Sequence, residues 1–286
     1  TGYYELFSGG VAQNIARWPN FGYAKTGNVG SDGVTFEVND DRIAKWKNAD
    51  CAMVCGYFAY NWSFENIYIK DVDVENSSVT LSGNLEYGDK VLKGKRFFAM
   101  NMPEELDMAG EYYIDAQKKM LYYYPDRHFS DEAPELSILS SALLRINNAS
   151  DINISGITFE YTRGEAIYAV ASKNITIDDC VVRNTGGDGI WLDGTANTVK
   201  GCEVYNIGAA GIRLVSGDNV SARAGQSMAV NNNIYNFGRI FRTYQPGIFL
   251  AGFGNSAEYN TIHDAPHCAV RFTGSQNKIL HNDIYN

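Results

Sequence analysis

Asn174-Ile-Thr-Ile-Asp-Asp-Cys-Val-Val182, Asn197-Thr-Val-Lys-Gly-Cys-Glu-Val-Tyr205 and Asn255-Ser-Ala-Glu-Tyr-Asn-Thr-Ile-His263 are one phrase written three times. Each runs from a short apolar strand through a corner to a Cys or Asn and a second apolar pair. A turn and a Gly-apolar-X-apolar segment follow, such as Gly189-Ile-Trp-Leu192 or Gly211-Ile-Arg-Leu214. Aligned on the Cys or Asn, the column reads Ile157, Cys180, Cys202, Asn232, Asn260 and Asn282, at steps of 23, 22, 30, 28 and 22 residues. A unit of about 22 residues with Gly and Asn at its corners and no helix-period stripe is one coil of a parallel β-helix. A rung of this kind buries its apolar face only against its neighbours.

The columns predict which side chains face in. Asn232, Asn260 and Asn282 stack as an inward amide ladder, with rungs about 4.8 Å apart. Ile190/Leu192, Ile212/Leu214, Ile248/Leu250 and Val270/Phe272 also point inward. Side chains alternate along a strand, so Tyr168, Trp191, Arg213, Phe249 and Arg271 point out as a row of aromatics and arginines.

The chain has 286 residues, a formal charge of −9 and a pI near 5.0, which argues against a nucleic-acid partner because phosphate neutralisation needs a basic face. No apolar run approaches the ~18 residues of a membrane span, and no basic-then-apolar leader opens the chain. Five cysteines is an odd count; Cys180 and Cys202 read as buried thiols, and Cys51 and Cys55 lack a second pair for zinc. No cofactor and no metal site are expected.

Residues 1–142 lack the period and read as strands and turns at Tyr3–Phe7, Thr35–Val38, Glu65–Val72, Ser78–Leu81, Lys95–Met100, Glu111–Asp115 and Lys119–Tyr124. The last two form a hairpin of aromatic strands. Glu104, Glu105 and Asp107 read as a solvated acidic loop without chemistry. The composition turns polar and acidic at Asp131, Glu132, Pro134 and Glu135, which places a boundary near residue 136. Two rungs exceed the unit, with insertions at 216–228 and 238–246 that flank the strands of Arg213 and Phe249. Long loops on one face of a solenoid are where function concentrates, and these two are expected to wall a groove there. The final phrase, Asn282-Asp-Ile-Tyr-Asn286, opens a rung without its Gly-apolar strand, so further rungs are expected beyond Asn286.

Four motifs carry a family resemblance: Ala16-Arg-Trp-Pro-Asn20, the hairpin Gly110-Glu-Tyr-Tyr-Ile-Asp115 with Leu121-Tyr-Tyr-Tyr-Pro125, Phe237-Gly-Arg239 with Arg242-Thr-Tyr-Gln-Pro246, and Asn260-Thr-Ile-His-Asp-Ala-Pro-His267. Together they resemble secreted right-handed β-helix proteins similar to glycoside hydrolase family 141. The resemblance implies activity on plant cell-wall polysaccharides such as pectin or xylan, and a secreted, cell-surface or periplasmic location. It also implies a β-helix interrupted by a β-sandwich-like module, and catalytic aspartates on rungs beyond His267. Arg239, Arg242, Tyr244, Asp264 and His267 are the positions that match its groove-side motifs. The fold expected is therefore all-β, a right-handed parallel β-helix over residues 136–286 with an N-terminal β-sandwich-like module over residues 1–135.

Glycoside cleavage generally needs two carboxyls, about 5–5.5 Å apart for retention or about 6.5–9.5 Å for inversion. Of the acidic columns compared, Glu165 and Asp188 share one on adjacent rungs, although Gly187-Asp-Gly189 is equally an ordinary corner. Asp264 and His267 are candidate catalytic groups, with corner hydrogen bonds as the alternative. Arg239 and Arg242 are either loop charges or forks for a uronate carboxylate. Trp191, Arg213, Tyr244, Phe249 and Arg271 complete the candidate substrate-binding set. The function expected is a glycoside hydrolase using a carboxylate pair. A polysaccharide lyase and a non-catalytic carbohydrate-binding β-helix remain open beside it, and the partner is a polysaccharide or oligosaccharide.

Overall fold

The computed structural model of the chain describes residues 3–46, 51–126 and 133–286; the linker residues Asp131 and Glu132 lie outside them. The chain divides into two compact units, one of residues 1–5 with 136–286 and the other of residues 6–135.

The first unit is a parallel β-helix. Its coils stack in three columns of parallel strands. One column runs through Leu144–Asn147, the start of Ile167–Asp178, Ile190–Thr195, Ile212–Ser216, Pro246–Phe253 and Cys268–Ser275. A second passes from Ser150–Ser155 to Lys278–Leu280, and a third from Thr158–Thr162 to Asp283–Tyr285. The pairing places Ile190, Ile212 and Ile248 in register, and the inward pairs of these three rungs are fully buried. On the strand Cys268–Ser275, Phe272 is 57% exposed.

Corners in each coil are made by single residues in the left-handed region. One corner column holds Tyr161, Asn184, Asn206, Asn236 and Asp264 at φ between 49° and 64°. Two others hold Asn174, Ala196, Gln226 and Gln276, and Asp179, Gly201, Asn231, Tyr259 and His281. Asn, Asp and Gly tolerate this conformation best, which explains their recurrence at the ends of the repeated phrase. Gly194 is required for a second reason: at φ 140° a Cβ there would lie 1.8 Å from the carbonyl oxygen of Ser172 on the previous rung.

The amide ladder forms as the column predicts. Asn232 Nδ2 donates to Asn260 Oδ1 at 2.9 Å and Asn260 Nδ2 to Asn282 Oδ1 at 2.8 Å. The same oxygens accept the backbone N–H of the Asn one rung before them. Buried corner amides are thereby satisfied without water. A second ladder, which the sequence reading missed, shares only the backbone half of this pattern: Asn255 N–H donates to Asn277 Oδ1, Ser227 N–H to Asn255 Oδ1 and Asn197 N–H to Ser227 Oγ, while the Asn255 and Asn277 amides donate to backbone carbonyls. Cys180 and Cys202 are buried free thiols, and burial pushes the Cys202 thiol up to about 12.

In the second unit, six antiparallel strands pair in a closed circuit: Ala24–Val29, Thr35–Val38, Ser78–Leu81, Glu65–Asp73, Met53–Gly56, Arg96–Met100 and back to Ala24–Val29. The strand Arg96–Met100 uses both its edges, which joins the sheet to itself and leaves that strand no edge to protect. Phe36, Phe58, Phe97 and Trp46 fill the interior. The tyrosine hairpin forms in register, Glu111 opposite Tyr124 and Asp115 opposite Met120. The acidic loop is not simply solvated. Glu105 is buried and accepts from Arg42 Nε at 2.9 Å and Trp46 Nε1 at 2.6 Å, so it anchors the turn into the core.

Candidate functional site

The outward row on the first strand column is continuous over six rungs. Pairing puts Arg145, Tyr168, Trp191, Arg213, Phe249 and Arg271 in one register. Each cation in it lies against rings. Arg145 sits 4.9 Å from the centre of Tyr168, and Tyr168 meets Trp191 edge to face at 5.6 Å. Arg213 lies between Trp191 at 5.5 Å and Phe249 at 5.4 Å, and Arg271 between Phe249 at 5.6 Å and Tyr244 at 4.9 Å. Such contacts orient a guanidinium and strip part of its hydration. Arg145 escaped the sequence reading, although Leu144-Arg-Ile146 carries the apolar-X-apolar signal of this column.

Arg213 is fixed from behind. Asp188, 6% exposed, receives its Nε at 2.5 Å and the N–H of Ala210 at 2.8 Å. Gln245 accepts from the other end of the guanidinium. Burial pushes the Asp188 carboxyl above the usual aspartate range, with a smaller push from the charge of Glu165, while Arg213 and the Ala210 N–H pull it down. Glu165 precedes Asp188 by one rung in this column, since Ala166 donates to the carbonyl of Asp188. It is half-buried, and its carboxylate has no hydrogen-bond donor among the described residues.

The 238–246 segment reaches this face through Tyr244 and Gln245. Tyr244 has φ 57°, a strained value for a bulky residue. Its N–H donates to His267 Nδ1 at 3.0 Å, its ring meets the His267 ring at 5.1 Å, and its carbonyl accepts from Arg271 at 3.3 Å. Nδ1 of His267 is thus an acceptor, which fixes its proton on Nε2 and makes His267 a clasp for the loop.

Three open readings are resolved here. Asp264 follows its corner alternative: it sits at a left-handed corner and bonds the adjacent His263 Nδ1 at 2.9 Å. Arg239, read as either a loop charge or a fork for a substrate carboxylate, already holds the buried Glu5 through both oxygens at 2.9 and 3.3 Å. The 216–228 insertion is organised by its own turn, with Asp218 accepting from Val220 and Ser221. Arg242 is half-buried in the 238–246 loop. Among the described residues no group of three or more His, Cys, Asp or Glu is arranged to hold a metal ion, and no helix is long and apolar enough to cross a membrane.

Residues 128–234 match the family of right-handed β-helix regions. A solved glycoside hydrolase is similar over 99% of this chain and 77% of its own, with 12% identity and a TM-score of 0.65. The A-module of a mannuronan C-5 epimerase from Azotobacter vinelandii matches 47% of this chain and 54% of its own, at 13% identity and TM-score 0.32. A tailspike protein of a Pseudomonas phage matches 91% of this chain and 41% of its own, at 11% identity and TM-score 0.25. No curated protein matches the chain. At these identities the likeness is one of fold: this is an all-β protein with a right-handed parallel β-helix.

Proposed function

We propose that the Arg–aromatic face is the groove of a carbohydrate-active protein, that it binds a uronate-bearing polysaccharide of the plant cell-wall type, and that the chain hydrolyses it. The observation that carries this reading is the row of three guanidiniums interleaved with three rings over six rungs, each guanidinium lying against a ring. A planar guanidinium matches a carboxylate with two parallel N–H donors, and one already oriented loses little freedom on binding. Arg213 is oriented by Asp188 and Gln245, and Arg271 by the Tyr244 carbonyl.

For cleavage, Glu165 supplies the open carboxylate and Asp188 the buried, more readily protonated one. Adjacent rungs about 4.8 Å apart suit the carboxyl separation of a retaining glycosidase, about 5–5.5 Å. The commitment of Asp188 to Arg213 favours the second reading, a face that binds and does not cleave. Either activity suits a protein outside the cytoplasm.

The test is a reducing-end assay on pectin-type and xylan-type substrates, with ultraviolet absorbance of unsaturated uronates followed in parallel. Hydrolysis gives reducing ends without absorbance, and Glu165→Gln then lowers the rate by about 10²–10⁴-fold. Absorbance would assign a lyase. Binding without either product would leave the non-catalytic reading.

A further inference from the structure

The unit of residues 6–135 carries an aromatic platform of its own. Tyr60 and Trp62 lie on the connection between the strands Met53–Gly56 and Glu65–Asp73, and Tyr87 on the connection after Ser78–Leu81. The planes of Tyr60 and Trp62 differ by 9° with centroids 5.5 Å apart, and Tyr87 meets Trp62 at 5.2 Å and 64°. Tyr60 is 49% exposed and Trp62 40%. Single exposed aromatics are ordinary, but here Trp62 touches both the exposed Tyr60 and the half-buried Tyr87, so the rings of two adjoining loops form a contiguous patch.

The two loops are held in place. Glu65 is buried and accepts the N–H of Glu86 at 2.7 Å and of Tyr87 at 3.5 Å. Gly88, at φ 118°, packs so closely that a Cβ would lie 2.6 Å from the Cβ of Ala59. The ring of Tyr87 is therefore positioned against Trp62 before any ligand arrives, which reduces the ordering cost of binding. Asn61, Glu86, Asp89 and Lys90 are exposed in the same loops and form a polar rim.

We propose that Tyr60, Trp62 and Tyr87 form a second saccharide-binding site, specific for neutral pyranose rings. A pyranose lays its C–H face on an aromatic plane and turns its hydroxyls to the edge, so it needs a flat apolar floor with hydrogen-bonding groups around it. A stable protein partner would need about 800 Å² and 20–30 residues on this side, whereas three rings ringed closely by charge give a footprint of a few sugars. Glu86 and Asp89 outnumber Lys90 in the rim and oppose a uronate carboxylate, in contrast to Arg145, Arg213 and Arg271 on the β-helix face. The site does not depend on the groove reading for the other unit.

The full chain is titrated by calorimetry with neutral xylo-oligosaccharides and, separately, with oligogalacturonides. Trp62→Ala is expected to lose roughly tenfold or more in neutral-sugar affinity, the scale for a central aromatic contact, while Trp62→Phe keeps most of it. The proposal is overturned if Trp62→Ala binds neutral sugars as the wild type does, if the wild type binds none, or if sedimentation shows Trp62→Ala losing only self-association. Oligogalacturonide binding by Arg271→Ala reports on the groove alone, so failure of one site is distinguishable from failure of the other.

Discussion

The β-helix carries two outward ladders that differ in what they offer a ligand. On the first strand column, arginines are interleaved with rings from Arg145 to Arg271, and a loop reaches them. On the third, Glu160, Arg183, Tyr205, Tyr235, His263 and Tyr285 share a register. There the rings of Tyr205, Tyr235, His263 and Tyr285 lie face to face, 4.8–4.9 Å apart and within 5° of parallel. Arg183 bonds Glu160 at 2.6 Å and the Tyr205 hydroxyl at 3.0 Å. Coplanar stacking covers the ring faces and leaves only edges outward, so this column is a seam that ties rungs together. The arginines of the two ladders differ in their partners: Arg213 is held by the buried Asp188 and by Gln245 and Arg271 by a backbone carbonyl, whereas Arg183 is paired with the part-exposed Glu160 and a tyrosine hydroxyl.

The sharpest way to break this contrast is to remove each carboxylate. Asp188→Ala leaves Arg213 without its buried partner and is expected to cost about 3–5 kcal/mol in urea denaturation. Glu160→Ala removes a part-exposed pair and should cost about 1 kcal/mol or less. Equal losses would mean that the two arginines play the same part. In binding, Arg271→Ala should weaken oligogalacturonide affinity by about 1.5–3 kcal/mol, the range for hydrogen bonds to charged groups. Tyr205→Ala should leave that affinity unchanged by calorimetry. Tyr235→Ala removes two stacked contacts and should cost roughly 1–3 kcal/mol of stability at about 0.5–1.5 kcal/mol each, without affecting saccharide titrations.

How far these features could be read from the sequence depended on whether they follow the period. The steps at Cys180, Cys202, Asn232, Asn260 and Asn282 fix strand register, and register alone puts Trp191, Arg213, Phe249 and Arg271 in one row. The Asn255/Asn277 ladder obeys the same steps and was open to the same reading. Contacts made by insertions carry no period. Nothing in the local sequence pairs Arg239 with Glu5, more than two hundred residues away, or sets the Tyr244 N–H on His267. Asp264 takes the corner alternative because its conformation, shared with Asn184, Asn206 and Asn236, brings it to its neighbour His263. In the other unit, Glu105 read as solvated because its partners Arg42 and Trp46 are distant in sequence.

The smallest expected effect separates burial from ion pairing at Asp188. Burial raises its carboxyl above the ordinary value of ~3.9, and Arg213 opposes that rise without cancelling it. A carboxyl raised in the folded state binds its proton more tightly there than in the unfolded chain. The protonated form therefore adds stability, and that contribution fades as pH rises from the ordinary aspartate value through the folded one. Denaturation across the acid range should show the wild type losing stability with rising pH relative to Asp188→Asn, which has no proton to bind. Glu160→Gln on the stacked ladder supplies the comparison, because its carboxylate is part-exposed and paired along the face. If the wild type instead gains stability with rising pH relative to Asp188→Asn, the Arg213 ion pair outweighs desolvation. Asp188 would then be an anchor for Arg213 at every pH at which the protein folds, and the carboxyl pair with Glu165 would lose its proton donor.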